Sequence, residues 1–304
     1  MSHLQGSHTE GACLGFVETL EIIALDKGAA MCKWRWMPLL VSLASPLVSA
    51  VAQKPEDGKK MEHGEMEMMM QPGADRMHVA IKSPAEGSKT TTDKLPVQVA
   101  TAGFQDRCDL AGKPNQEGTG HYHLLLDKSL VNMYCSDRAT VSLEGVKPGR
   151  HTLTAVPAQN DHSEVEKNAS SITIDYAPSQ PKPLPKATAA AGAPSIKIVS
   201  PKPGTTVSGS FDVAVDVKNF SLTCAEMGKP DVPGHGHWHL NFDTMKGPMM
   251  GMMTMAAMSC EQRLVLSTAG LKPGSTHKLI ALLADNVHAP VMPEVADSVA
   301  VTVR

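Results

Sequence analysis

Short apolar runs that alternate with polar positions recur along most of this chain. LPVQVA, HYHLLL, ATVSL, HTLTAV and SSITIDY are examples, and clusters of Gly, Pro, Asn and Asp separate them. No segment of adequate length shows a helical period. The pattern predicts an all-β chain built from immunoglobulin-like antiparallel β-sandwich domains, each with roughly seven strands. A small open barrel is the alternative.

The chain contains an internal repeat. Residues 104–127 and 220–243 align without a gap at an offset of 116, with 11 identities in 24 positions. Self-similarity of this kind indicates tandem copies of one domain. We place the first copy at residues 77–177 and the second at 195–304, joined by a Pro/Ala-rich linker at 178–194.

The segment before the first copy has the features of a secretory signal. Within residues 31–52, Lys33 and Arg35 precede an apolar stretch that ends in Ala-Val-Ala. Residues 1–30 carry none of these features, and we interpret them as a misassigned upstream extension. The alternative is a true extension with an internal anchor. Residues 53–76 are polar and Met-rich and are predicted to be disordered. We therefore expect a periplasmic or secreted protein.

Four cysteines remain after signal cleavage, and they occupy equivalent places in the two copies. An even number of cysteines in an oxidising compartment predicts disulfides. We predict one within each copy, Cys108–Cys135 and Cys224–Cys260. Thiolate ligation of a metal is the competing interpretation.

The strongest chemical signal is a repeated His-x-His strand. Side chains alternate between the faces of a strand, so Tyr122 and Leu124 are predicted to face the core. His121 and His123 then project together from the opposite, wetter face, and a late histidine, His162, follows in the same copy. Three imidazoles with an open position suit zinc or copper. The predicted metal ligands are His121, His123 and His162 in the first copy and His237, His239 and His288 in the second. Surface histidines that hold a loop by hydrogen bonds are the alternative.

Methionine is the second signal. The chain has 19 methionines against 5 phenylalanines. Twelve of them fall in two clusters that we interpret as loops, and we expect the second cluster to aid the second histidine site. Thioethers select Cu(I), so copper is the predicted ion and zinc the alternative. The accessory ligands considered are Asp127, Asp243, His235, Met249, Met250, Met252, Met253, Met255, His63, Met66 and Met68. A flexible sticky surface, or a short buried helix in the second cluster, is the alternative.

Charge and hydropathy exclude two classes of function. With 28 basic and 31 acidic residues the net charge is −3, which gives no electrostatic case for binding nucleic acid. No uninterrupted apolar run reaches the roughly 20 residues of a membrane helix, so the mature chain is not expected to be membrane-embedded. The expected partners are a metal ion and another envelope protein.

The block GxGHxHLxxD, followed by a KPGxH turn and a late DNxH, resembles a family of small secreted bacterial domains of unknown function whose core reads GxGHHHLLID. Tyr122 and Trp238 stand where that family often has a middle histidine, and the cysteine pairs and Met-rich loop are further departures. The resemblance implies a bacterial envelope protein with sandwich-like domains and supplies no activity. The matching residues are Gly120, His121, His123, Leu124, Asp127 and His162, then Gly236, His237, His239, Leu240, Asp243 and His288.

These observations predict an exported metal-binding protein, with copper as the ion, that buffers or carries it and is not an enzyme. The first alternative is an envelope module, structural or ligand-binding, that holds no metal. The second is a copper or zinc metalloenzyme with an open coordination position.

Overall fold

The computed structural model describes residues 73–187, 192–247 and 251–304. Within these ranges the chain forms eighteen strands and four short 3-10 turns. No described helix is long and apolar enough to cross a membrane. The predicted upstream extension, the signal peptide and most of the segment predicted to be disordered lie outside the described residues. So do the proposed accessory ligands His63, Met66, Met68, Met249 and Met250.

The first half of the described chain contains nine strands in two sheets. One sheet has the order β1-β3-β7, and the other has the order β2-β9-β8-β5-β4 with β6 also paired to β5. The strands are β1 (His78–Ser83), β2 (Ser88–Thr90), β3 (Lys94–Ala102), β4 (Gln105–Asp106), β5 (Thr119–Leu126), β6 (Ser129–Tyr134), β7 (Arg138–Ser142), β8 (Gly149–Ala158) and β9 (Ser170–Tyr176).

The second half repeats this topology strand for strand. Its sheets have the orders β10-β12-β16 and β11-β18-β17-β14-β13, with β15 also paired to β14. The strands are β10 (Ser195–Ser200), β11 (Thr205–Val207), β12 (Ser210–Lys218), β13 (Ser221–Leu222), β14 (His235–Phe242), β15 (Met255–Ser259), β16 (Arg263–Ser267), β17 (Thr276–Ala284) and β18 (Ala296–Val303). The 3-10 turns are Ala74–Arg76, Cys108–Leu110, Glu166–Asn168 and Met252–Thr254.

Alternating side chains of the strands make the core of each half. Tyr122, Leu124 and Leu126 on β5 are fully or almost fully buried between the two sheets of the first half. Trp238 and Leu240 on β14 occupy the same positions in the second half. The predicted all-β, immunoglobulin-like sandwich fold is confirmed, although each half has nine strands rather than about seven.

Both predicted disulfides are confirmed. Cys108 bonds to Cys135 and Cys224 bonds to Cys260. In the first half the bond joins the short turn that begins at Cys108 to the residue that follows β6. The turn Ala74–Arg76 buries Ala74 against Met77 and Val165, so regular structure begins before residue 77, where we placed the start of the first copy.

The two halves belong to one compact unit and pack on each other by equivalent contacts. The buried Lys113 ammonium donates hydrogen bonds to the carbonyl oxygens of Ser267 and Ala269, at 2.8 and 2.6 Å. The equivalent Lys229 is also buried and donates to the Ser142 hydroxyl, at 3.1 Å. Ser142 and Ser267 end the equivalent strands β7 and β16. The halves are therefore related by an approximate two-fold symmetry.

Candidate metal centre

The three histidines predicted in the first copy meet at one point. His121 and His123 project from the same face of β5, and His162 lies in the turn after β8. The Nε2 atoms of His121 and His123 are 3.1 Å apart. The Nδ1 atom of His162 lies 3.0 Å from the first and 3.1 Å from the second. The three nitrogens form a nearly equilateral triangle that could hold a metal ion.

Hydrogen bonds on the outer side of the triangle orient two of its rings. The Nδ1–H of His123 donates to the Glu164 carboxylate at 2.5 Å. The Nε2–H of His162 donates to the carbonyl oxygen of Met255 at 2.7 Å. A neutral imidazole carries one N–H and one lone pair, so both rings must direct a lone pair toward the centre. This is the outer hydrogen bonding that metal-bound histidines ordinarily show.

Two inward lone pairs facing each other across 3.1 Å repel unless a cation lies between them. His121 can donate its inner proton to only one of the two rings. Metal–nitrogen bonds of about 2.0–2.1 Å place three imidazole nitrogens about 3.3–3.5 Å apart. The triangle therefore needs to expand by only a few tenths of an ångström to fit such an ion, and the residues present fit a metal.

The second triad repeats the first. The Nε2 atom of His237 lies 2.8 Å from Nε2 of His239 and 2.9 Å from Nδ1 of His288, and the third side of the triangle is 3.5 Å. The Nε2–H of His288 donates to the carbonyl oxygen of Leu130 at 3.0 Å. Leu130 and Met255 are equivalent positions, each opposite the bulged residue of the His-x-His strand. Each late histidine is thus oriented by a backbone carbonyl of the other half.

The backbone of both late histidines lies in the left-handed region. His162 has φ 64° and His288 has φ 63°. A non-glycine residue enters this region at a cost of about 1 kcal/mol or more and stays there when its surroundings require it. The same strained backbone in both halves aims Nδ1 at the other two histidines.

The prediction that the histidines lie on a wetter face of the sheet is wrong. None of the six is more than 6% exposed, because the other half of the chain covers that face. Burial lowers the pKa of His162 and of His239 to about 3 and that of His288 to about 4. Burial also holds the pKa of His121 and of His237 well below the usual value. Neutral rings are the form that binds a metal.

The two aspartates considered as accessory ligands are not part of the triads. Asp127 accepts a hydrogen bond from Nδ1 of His151 at 2.6 Å and one from the Thr152 amide at 2.9 Å. Asp243 makes the equivalent bonds to His277 and the Lys278 amide. Both carboxylates cap a strand end and hold a histidine that lies outside the triads.

His235 is also outside the triads. Its Nδ1 atom lies 3.2 Å from Oε1 of the buried Glu226, whose other oxygen accepts a hydrogen bond from Asn286. The structure thus places His235 in a hydrogen-bonded network of the second half rather than at a metal position.

The methionines after β14 are placed differently from our expectation. Met252 and Met253 lie in a 3-10 turn, but Met255 lies at the start of β15 and is fully buried. This segment lies beside the first triad and not only beside the second, since the Met255 carbonyl orients His162. Met253 is more exposed, at 37%.

Sequence reasoning missed three contributors to the sites. Glu164 was not singled out, and it occurs in the first half only, because Pro290 stands at the equivalent bridge position. The lysines of the packing contacts, Lys113 and Lys229, were also missed, although a signal was present. Each belongs to a Gly-Lys-Pro tripeptide that precedes the first triad histidine by the same spacing in both copies.

Comparisons with known proteins identify no family. No family model matches the chain, and no curated protein matches it. Among solved structures, the fibronectin(III)-like modules of CbhA from Clostridium thermocellum are 13% identical, with 74% of this chain and 94% of that chain covered and a TM-score of 0.23. Chicken VE-cadherin EC1-2 is 14% identical, with coverages of 76% and 98% and a TM-score of 0.17. At these values the likenesses carry no conclusion about function, and the fold assignment follows from the strand topology described above.

Proposed function

We propose that this chain is an exported copper-binding protein that buffers or carries the ion through its two buried histidine triads. The observation that carries the proposal is the pair of lone pairs of His123 and His162, which face each other at 3.1 Å while both outer N–H groups are bound elsewhere. That arrangement is stable with a cation at its centre. In the second half the outer N–H of His288 is bound in the same way by the Leu130 carbonyl oxygen, and the three histidines again converge.

The choice of copper over zinc rests on the methionines. Three imidazoles suit either ion. Thioethers favour Cu(I), and the Met-rich segment that contains Met252 and Met253 comes directly before β15, whose first carbonyl orients His162. Two disulfides support the proposed export to the periplasm or the cell exterior, since such bonds persist in oxidising compartments.

We propose binding rather than turnover, because the inner nitrogens of both triads belong to buried side chains. A copper or zinc enzyme is the second candidate. The observation that favours it is a cavity of about 530 Å³ whose wall includes His123 and His162. Turnover of a small substrate by the metal-loaded chain, lost when the triad is removed, would favour the enzyme.

Metal analysis of the purified mature chain tests the proposal. We expect two copper ions per folded chain, one in the His121→Ala/His123→Ala variant, one in the His237→Ala/His239→Ala variant, and none when all four are replaced. His151→Ala is the matched control, since that histidine pairs with Asp127 away from the triads. Circular dichroism establishes that each variant is folded.

A folded wild-type chain that retains neither copper nor zinc would overturn the proposal. Equal retention by the fourfold variant would do so as well. Either result would favour the alternative function, an envelope module that binds no metal.

A further inference from the structure

The two triads have the same histidines but different surroundings. In the first half, Glu164 accepts the outer N–H of His123, and the glutamate side chain is 31% exposed. In the second half Pro290 takes the equivalent place and offers no side-chain acceptor to His239. The first triad therefore has a carboxylate that links it to solvent.

A cavity of about 530 Å³ lies against the first triad. Its wall combines His123, His162 and Glu164 of the first half with Gly228, Met252 and Val287 of the second. Among the described residues, this wall includes no histidine of the second triad. Side chains of the first triad thus line a space from which an ion could reach them.

Met252 is held at this cavity by the strand that carries the second triad. Asn241 on β14 is buried, and its amide donates to the carbonyl oxygen of Gly251 at 2.6 Å and to the Thr254 hydroxyl at 3.2 Å. These bonds fold the turn Met252–Thr254 back toward the histidine face. The Met252 side chain is 6% exposed and faces the cavity that the first triad lines.

We propose that the first triad is the exchange site for Cu(I), that the ion enters and leaves through this cavity with the Met252 thioether as a transient ligand, and that the second triad retains its ion. The proposal rests on the proposed function. The Met-rich segment of the second half thus serves the histidines of the first half.

The step is a ligand exchange in which copper keeps its charge. Cu(I) arrives bound to the ligand of a donor molecule. The Met252 sulfur replaces that ligand, and the nitrogens of His121, His123 and His162 then replace the sulfur. No proton needs to leave an inner nitrogen of His123 or His162, because their N–H groups point outward. The inner proton of His121 moves to Nδ1 of the same ring, which has no other hydrogen-bond partner, so the ring stays neutral and no net proton is released. Thioethers bind Cu(I) but not zinc strongly, so the route selects the softer ion.

Release kinetics of the full chain test this proposal. The chain is loaded anaerobically with two equivalents of Cu(I) and mixed with excess bathocuproine disulfonate, which forms a coloured Cu(I) complex. We expect two phases of equal amplitude whose rates differ at least tenfold. His121→Ala/His123→Ala should remove the fast phase, and His237→Ala/His239→Ala should remove the slow phase.

Met252→Leu should slow the fast phase at least fivefold and leave the slow phase unchanged. Met292→Leu is the matched control, because Met292 is 75% exposed and does not line the cavity. One common phase, assignment of the fast phase to the second triad, or an unchanged fast phase in Met252→Leu would overturn the inference while leaving the proposed function intact. A wild-type chain that retains no copper would overturn both.

Discussion

The imidazole of His162 donates a 2.7 Å hydrogen bond to the carbonyl oxygen of Met255, a residue of the other half of the chain. This bond fixes the proton on the outer nitrogen and leaves Nδ1 free to bind an ion. Because Leu130 does the same for His288, the packing between the halves fixes the position of the proton on the late histidine of each triad.

Two glycines at the interface between the halves allow each metal site to be perturbed without the other. A Cβ on Gly112 would lie 2.7 Å from the Met255 carbonyl oxygen, and a Cβ on Gly228 would lie 2.8 Å from that of Leu130. We expect Gly112→Ala to weaken copper binding at the first triad and Gly228→Ala to weaken it at the second. Each change should lower the free energy of unfolding by about 1–3 kcal/mol.

Urea unfolding and copper titration check these two variants. Gly204→Ala is the control, since Gly204 has φ 78° but a Cβ at that position would meet nothing within 4 Å, so it reports backbone strain without a clash. If Gly112→Ala affects both triads equally, or no more than Gly204→Ala does, the carbonyl does not position His162.

The two buried lysines at the interface should make the free energy of unfolding depend on pH. Burial lowers the pKa of Lys113 and of Lys229 from 10.5 to about 8. Between pH 8 and 10.5 the unfolded chain therefore binds more protons than the folded chain, and the free energy of unfolding rises with pH. One pKa unit corresponds to about 1.4 kcal/mol, so we expect on the order of 1–3 kcal/mol per lysine.

Urea unfolding of the metal-free chain at about pH 7.5 and at about pH 10 measures this rise. Lys113→Met should remove about half of it, and Lys113→Met/Lys229→Met should remove nearly all. Lys197→Met, at an exposed position, should leave the rise unchanged. The pKa values of Tyr122, Tyr134 and Tyr176 are raised by burial, which lowers stability toward pH 10 in the wild type and the variants alike. The lysine contribution is therefore the difference between the wild type and Lys113→Met/Lys229→Met, and a difference that does not grow with pH would show that the partners of both ammonium groups outweigh their burial.

The first disulfide joins two segments of the first half that each contact the second half. Cys108 begins the turn that precedes Gly112 and Lys113, and Cys135 follows β6, which carries Leu130. Loop closure over a separation of 27 residues is worth about 3.5 kcal/mol. We expect Cys108→Ala/Cys135→Ala to lose about that much stability and to bind copper more weakly at both triads.

Copper titration measures the affinity of this variant and of Cys224→Ala/Cys260→Ala, and urea unfolding measures their stability. The second bond closes a separation of 36 residues, so a similar loss of stability is expected from it. Unchanged copper affinity in either folded variant would show that the interface keeps its geometry without the bond.

The strand-end aspartates should matter for stability and not for metal. In Asp127→Asn the charged acceptor of the His151 bond is lost, and we expect about 1 kcal/mol less stability. The copper content should stay at the wild-type value, as measured by metal analysis. A lost equivalent of copper would restore Asp127 as an accessory ligand.

Strand periodicity and the internal repeat were enough to predict the sandwich, its two-sheet core around Tyr122 and Trp238, and the disulfides. Strand alternation also placed His121 and His123 on one face. It could not show that this face is buried, because the covering surface comes from the other half. For the same reason it could not connect Met255 with His162, since the contact is made by a backbone carbonyl, which has no side-chain signature in a sequence.

The equivalent contacts between the halves have the form of a two-fold homodimer whose subunits are joined in one polypeptide. A single copy would lack the carbonyl that orients its own late histidine, so duplication without association would not have produced a complete site. Fusion relaxes the constraint of symmetry, because one copy can then change without the other. The carboxylate of Glu164 in one copy and the methionine insertion in the other are such changes. Under the proposed function, they let one site take up an ion while the other site retains its own.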